Sequence, residues 1–207
     1  MSERLAMFPL GTPLVPGALL PLQIFEPRYQ QMMLDVLASP AQEFGIALIE
    51  RGHEVGGGEL RSMIGTAARI LDSKMLDDGR RMIVVVGVGR IRVHEWLVDD
   101  PYPQALVEEW PDGPCTEWSA ENVARLIDDL REVSSLVEQL GGLIPDFSEV
   151  ELSSEASMAS FQLTALAPIG SADRQRLLSS PDPVDRLRLL SLALEDVKAA
   201  CQFRLQE

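Results

Sequence analysis

Hydrophobic positions change their spacing once along this chain, and the change divides it in two. As far as Trp110 they recur at every second position or in short continuous runs, as strands require; beyond it they recur at three- and four-residue intervals, as on one side of a helix. Leu5 to Leu10 reads as an opening strand, followed by irregular chain punctuated by Gly11, Pro13, Pro16 and Gly17. Leu20, Leu22 and Ile24 then alternate with other residues, predicting a strand with one buried face. Glu26-Pro27 stops it and opens a helix: proline has no N–H to lose at the first helical position, and the carboxylate sits at the positive end of the helix dipole. Tyr29, Met32, Met33, Val36 and Leu37 make the apolar stripe of that helix, which Ser39-Pro40 ends. Glu26 and Arg28, two positions apart, are expected not to pair, because such neighbours diverge on a helix.

Further strands are predicted over Phe44–Ile49, a continuous apolar run suited to burial on both faces, over Met63–Leu71, over Arg81–Val93 and over Gln104–Trp110. Asp77-Asp78-Gly79 supplies the hairpin turn between the two longest, and Gly87 and Gly89 inside the second predict a bulge or sharp bend. Antiparallel strands that bend, with one early helix, suggest a small barrel, which removes exposed sheet edges. Pro111-Asp-Gly-Pro114 marks a boundary. After it Ser119 is a good N-cap, and Val123, Leu126, Ile127, Leu130, Val133, Val137 and Leu140 form one stripe ending at Gly141-Gly142. Met158, Phe161, Gln162, Ala165 and Leu166 mark a second helix before Pro168; Ser171 is expected to cap a third carrying Leu177 and Leu178. Asp182-Pro183 opens a fourth, with Leu187, Leu190, Leu194, Val197 and Cys201 inward. The fold class is therefore α+β, with a mostly antiparallel β-barrel-like lobe over 1–112 and an α-helical bundle over 113–207.

Composition adds limits on function. No apolar run nears the roughly 18 residues that cross a bilayer, and the prolines near the N-terminus break any signal-peptide core, so the expected location is the cytoplasm. Cys115 and Cys201 are isolated and read as reduced thiols. A net charge of −14 repels phosphate backbones and anionic membranes, which argues against nucleic acid as partner. Arg80, Arg81, Arg90 and Arg92 crowd one region but lack interleaved aromatic residues for stacking bases, and are expected to be solvated hairpin positions.

Several residue orders carry a resemblance. Phe8-Pro-Leu10, Leu14-Val-Pro-Gly17, Leu20-Pro-Leu-Gln-Ile-Phe-Glu-Pro-Arg-Tyr29, Phe44-Gly45, Glu54-Val-Gly-Gly-Gly58 and Gly65-Thr66 follow one another as in the LON substrate-binding domain. That family supplies the N-terminal domain of ATP-dependent Lon proteases and is also found alone in bacteria and within cereblon. The resemblance implies a PUA-like β lobe, association with proteolysis, and a role in binding protein rather than in chemistry.

The residues agree that catalytic machinery is missing. No phosphate loop is present: Gly56-Gly57-Gly58 has no lysine beside it, and Glu54 and Glu59 would repel a phosphate. Lys74 and Lys198 are the only lysines, and Lys198, seven positions from Ser191 on a charged helix, suits solvent better than a Ser–Lys dyad. His53 beside Glu54 is the one pair that suggests a general base, and a hydrolase or small-ligand site using it in a cleft between the lobes is the alternative reading. RNA binding on a PUA-like surface is a weaker one. We therefore expect a non-enzymatic protein- or peptide-binding module that needs no cofactor or metal. The expected partner surface comprises Phe25, Arg28 and Tyr29, which if buried instead fix the first helix to the barrel, together with the loop His53, Glu54, Val55, Gly56, Gly57 and Gly58, whose glycines expose backbone groups to an extended or unfolded segment.

Overall fold

The alternating half of the chain forms six strands, β1 (Glu3–Leu10), β2 (Leu19–Ile24), β3 (Glu43–Arg51), β4 (Leu60–Met75), β5 (Arg81–Trp96) and β6 (Gln104–Glu109), with helix α1 (Pro27–Ala38) after β2. The computed structural model describes residues 2–52, 58–115, 117–144 and 151–206. They fall into two units, Met1–Pro111 and Asp112–Glu207. In the first, the strands run in the order β2-β5-β4-β3-β1-β6, and β6 also pairs with β5. Five strands thus close into a barrel. Only the β1–β3 pair is parallel.

Strands β4 and β5 outrun their apolar stretches because the hairpin ladder continues through polar positions, Asp72 to Met75 pairing with Val84 back to Arg81. The ladder needs only backbone groups, so side-chain pattern underestimates its length. Near its middle the register slips, with Ala67 opposite Gly89 and Ala68 opposite Gly87. The expected bulge is there. A Cβ on Gly87 would lie 2.4 Å from the carbonyl oxygen of Val15, and the segment before β2 lies across this point through Gly17 N–H to Gly87 O and Gly87 N–H to Ala18 O bonds. Thr66 Oγ1 adds a bond to the Leu14 carbonyl. The barrel's main core joins Phe8, Phe44, Ile46, Ile83 and Val85 to the α1 stripe of Tyr29, Met32, Met33 and Val36.

The second unit holds α2 (Ala120–Gln139), α3 (Ala156–Leu166), α4 (Ser171–Leu178) and α5 (Pro183–Arg204). Ser119 caps α2 by accepting from the Asn122 N–H. At its other end Gly141, with φ +79°, donates to Glu138 O and Gly142 donates to Val137 O, the paired bonds of a Schellman turn. Asp182 caps α5 ahead of Pro183. Ser171 is not a cap: it is the first residue of α4, and Gly170 stands at the cap position without a side-chain bond. The expected α3 stripe is also displaced. Phe161 is buried, but its buried neighbours are Ala159, Ser160, Leu163 and Thr164, because small and hydroxyl residues suit close packing and Ser160 and Thr164 satisfy their hydroxyls on α3's own carbonyls.

The largest departure is on α5. Arg186, which the sequence pattern does not single out, is completely buried. Its guanidinium holds Asp112 at 2.6 and 3.0 Å, donates to Ser160 Oγ at 2.6 Å and to the Leu177 carbonyl at 3.2 Å, and covers the Phe161 ring at 3.5 Å. Ser157 adds another bond to Asp112. One charge pair therefore ties α3, α4, α5 and the segment entering the unit. Leu126, Leu130, Val133, Leu163, Leu177, Leu190 and Leu194 fill the core beside it. Both cysteines are free, Cys201 being buried.

Candidate functional site

The five-stranded ring is closed, but two strand edges beside it have no ladder partner among the described residues. Strand β2 pairs only with β5, through residues 19–24, and β1 passes from β6, at Glu3–Ala6, to β3, at Met7–Leu10. The outer edge of β2 and the Phe8–Leu10 edge of β1 thus have no strand partner among the described residues. Pro9 and Pro21 lie on these edges, where a missing N–H costs no ladder bond and discourages a further strand from adding. A pocket of about 200 Å³ occupies this place, lined by Phe8, Pro9 and Leu10, by Pro21 to Ile24, and by Phe25, Glu26 and Tyr29 at the start of α1.

The sequence-predicted residues of this region divide here. Tyr29 is 3% exposed and stacks on Phe8 with ring centroids 4.2 Å apart, so it fixes α1 to the barrel. Its hydroxyl is buried without a hydrogen-bond partner among the described residues, and burial pushes the phenol well above its ordinary pKa. Phe25 is 54% exposed at the pocket rim. Arg28 lies over the Tyr29 ring at 4.5 Å and pairs with Glu26 at 3.0 Å. That pair corrects the expectation that these two would diverge. Glu26 is the N-cap, with extended backbone at φ −70° and ψ 136°, so the helical spacing rule does not reach it. Gln30 anchors the same turn to the Phe25 and Gly79 carbonyls.

His53, Glu54, Val55, Gly56 and Gly57 lie outside the described residues. Gly58, at the loop's far end, has φ +80° and open space where a Cβ would stand. The adjacent chain is held firmly: Arg61 bonds Glu59 at 2.8 Å and Asp99 at 2.6 Å and lies over Trp96 at 4.9 Å.

Groups with other candidate chemistry are engaged in structural contacts. His94 pairs with Glu108 at 3.2 Å on an exposed surface, and Lys198 pairs with Glu132 at 2.7 Å, on α5 and α2. No cluster of three metal-ligating side chains forms among the described residues. Of the arginines expected in solvent, Arg90 is instead buried: it covers Trp110 at 4.0 Å, with Arg92 at 4.5 Å from the same ring. Arg80 pairs with Asp78 in the turn and Arg81 donates to Ser73. The stacking face that a base would need on Trp110 is already covered by arginine.

The pocket residues Phe8–Leu10 and Pro21–Ile24 were not singled out from sequence as site residues. Their signal was the pair of prolines, one in each of two strands, which marks unpaired edges once the strand order is known.

A barrel with one parallel strand pair, one early helix against its core and a following helical unit define the class, an α+β fold of the Lon N-terminal-domain kind. Residues 4–196 match the family described as the ATP-dependent protease La (LON) substrate-binding domain, and the chain belongs to that family. It is similar to Lon protease of Desulfovibrio desulfuricans, 30% identical over 91% of this chain but 22% of that protein. It is also similar to a LON peptidase N-terminal domain and RING finger protein of Schizosaccharomyces pombe, 23% identical over 89% of this chain and 43% of that one. The chain spans less than half the length of these relatives. Among solved structures, the Lon N-terminal domain protein of Xanthomonas campestris superposes with a TM-score of 0.68 at 26% identity, covering 92% of this chain and 98% of the other. The N-terminal domain of a Mycobacterium avium complex Lon protease shares the fold, with a TM-score of 0.66 at 19% identity, covering 94% and 99%. The similarity is to the substrate-binding domain, not to the ATPase or peptidase parts of Lon. No described helix is long and apolar enough to cross a membrane.

Proposed function

We propose that this chain is a non-enzymatic recognition module that binds exposed apolar segments of other proteins in the pocket between Phe8–Leu10, Pro21–Ile24 and the start of α1, acting as a cytoplasmic adaptor in protein quality control. Membership of a substrate-binding family supports the general role. The single observation that supports this location is Phe25, a large apolar side chain half in solvent at the rim of an apolar pocket beside two unpaired strand edges. A volume of about 200 Å³ suits one large side chain, and prolines on both edges favour insertion of such an anchor over addition of a strand. Residues 53–57, outside the described residues, and Gly58 stay in the proposed partner surface on their sequence alone.

The test is titration of a fluorescein-labelled, apolar-rich unfolded peptide against the wild type and Phe25→Asp, with anisotropy as readout. Phe25 lies outside the core, so the variant should keep its circular dichroism and melting temperature while binding falls about tenfold, the ratio expected for one apolar anchor of about 1.5 kcal/mol. Equal affinities would place recognition elsewhere.

A further inference from the structure

In the helical unit, α2 and α5 border a groove of about 480 Å³ at the end of α2 that begins with Ser119. One wall runs from Asn122 to Asp129 and the other from Val184 to Leu192; at 1.5 Å per residue each is about 10–12 Å long, or two helical turns. The floor is apolar, made by Leu126, Val184 and Leu187, and Leu192 stands 42% exposed at the edge. Length and apolar stripe together match two turns of a third helix laid between the pair.

Charge selects among such helices. The two arginines of the groove are each neutralised on their own helix, Arg125 by Glu121 at 2.5 Å and Arg188 by Asp185 at 2.7 Å. Glu117 and Asp129, also lining it, have no ion pair among the described residues. The unit from Asp112 carries seventeen acidic and eight basic side chains, a net −9, so its wider field reinforces the local one. A separate observation comes from the tryptophans. Trp96 and Trp110 each lie beneath arginine, whereas Trp118, which lines the groove, has no cation over its ring among the described residues. An indole face beside two uncompensated carboxylates attracts a lysine or arginine.

We infer that the α2–α5 groove docks a basic amphipathic helix of a partner protein, with apolar residues at i, i+3/i+4 and i+7 on Leu126, Leu187 and Leu192, and a lysine or arginine over Trp118 between Glu117 and Asp129. This site is independent of the barrel pocket.

The test uses the full chain, 15N-labelled, titrated with an 18-residue leucine–lysine peptide of helical period. Its controls are a peptide of the same composition scrambled to destroy the apolar stripe, and the leucine–glutamate counterpart. The helical lysine peptide should shift the amides of 120–130 and 184–193 and the Trp118 indole N–H, at least tenfold more tightly than either control. Leu192→Arg, an exposed substitution that places a cation in the groove, should weaken it at least tenfold without altering the melting temperature, and Trp118→Leu should weaken it severalfold. Equal binding of the scrambled peptide would mean attraction by net charge alone and would overturn the inference. So would shifts confined to the barrel, tighter binding of the glutamate peptide, or a sedimentation result in which a second copy of the chain covers the groove.

Discussion

Replacing Asp112 with alanine strands the Arg186 guanidinium in the interior of the helical unit. The two side chains are 0% and 6% exposed, and Asp112 accepts both terminal nitrogens of the arginine, so no solvent is at hand to replace the lost carboxylate. Removing one member of a buried pair costs about 3–5 kcal/mol, because the remaining charge stays desolvated. Ser160 and the Leu177 carbonyl still accept from Arg186, and Phe161 still faces it, which holds the loss towards the lower figure. For a unit of this size, 3 kcal/mol corresponds to a fall in melting temperature of at least about 12 °C. The assay is urea unfolding followed by ellipticity at 222 nm, which α2 and α5 dominate. The double variant Asp112→Ala/Arg186→Met separates pairing from packing: methionine needs no counter-charge, so the double variant should recover most of the loss. A loss below about 1 kcal/mol for Asp112→Ala would refute the reasoning, as would a double variant no more stable than the single one.

Other outcomes follow from single contacts. Gly87→Ala should destabilise the barrel by about 1–3 kcal/mol in urea unfolding, since its Cβ would meet the Val15 carbonyl at 2.4 Å, whereas Gly89→Ala, facing open space, should change it by less than about 1 kcal/mol. The chain has two tyrosines, and burial raises both above their ordinary value of 10, Tyr102 to about 12 with help from its bond to Asp35. Their folded-state pKa values exceed the unfolded ones, so their stabilising contribution is complete below pH 10 and is lost as pH rises through 10 towards 12 and beyond. Absorbance at 295 nm should therefore show little tyrosinate at pH 10.5 in the native protein and both phenols largely ionised in 8 M urea; identical titrations would contradict the burial. Leu177→Ala, in the centre of the helical core, should cost about 2–5 kcal/mol in the same ellipticity assay.

The alternation of Leu20, Leu22 and Ile24, the stripe from Tyr29 to Val36, the capping Ser119 and Asp182 and the Gly141-Gly142 stop were legible because each depends on residues a few positions apart. So was the change from strand to helix spacing after Trp110. Ordered motifs such as Leu20–Tyr29 also identified the family. Contacts between distant positions were not legible. Arg186 has the sequence environment of a surface charge, and only the fold brings it to Asp112, 74 positions away. Arg90 reads as one of a solvated cluster until β5 and the chain after β6 bring Trp110 beneath it. Of the candidate site, Phe25 and Tyr29 were named from local order, but one proved exposed and the other buried. The neighbouring pocket residues Phe8–Leu10 and Pro21–Ile24 are assembled by strand pairing between separate segments. Local spacing settles which elements form and where they end, since those choices are made within a turn or a strand; which charges are buried and which edges stay open is decided by packing, whose energies depend on neighbours that the sequence does not place side by side.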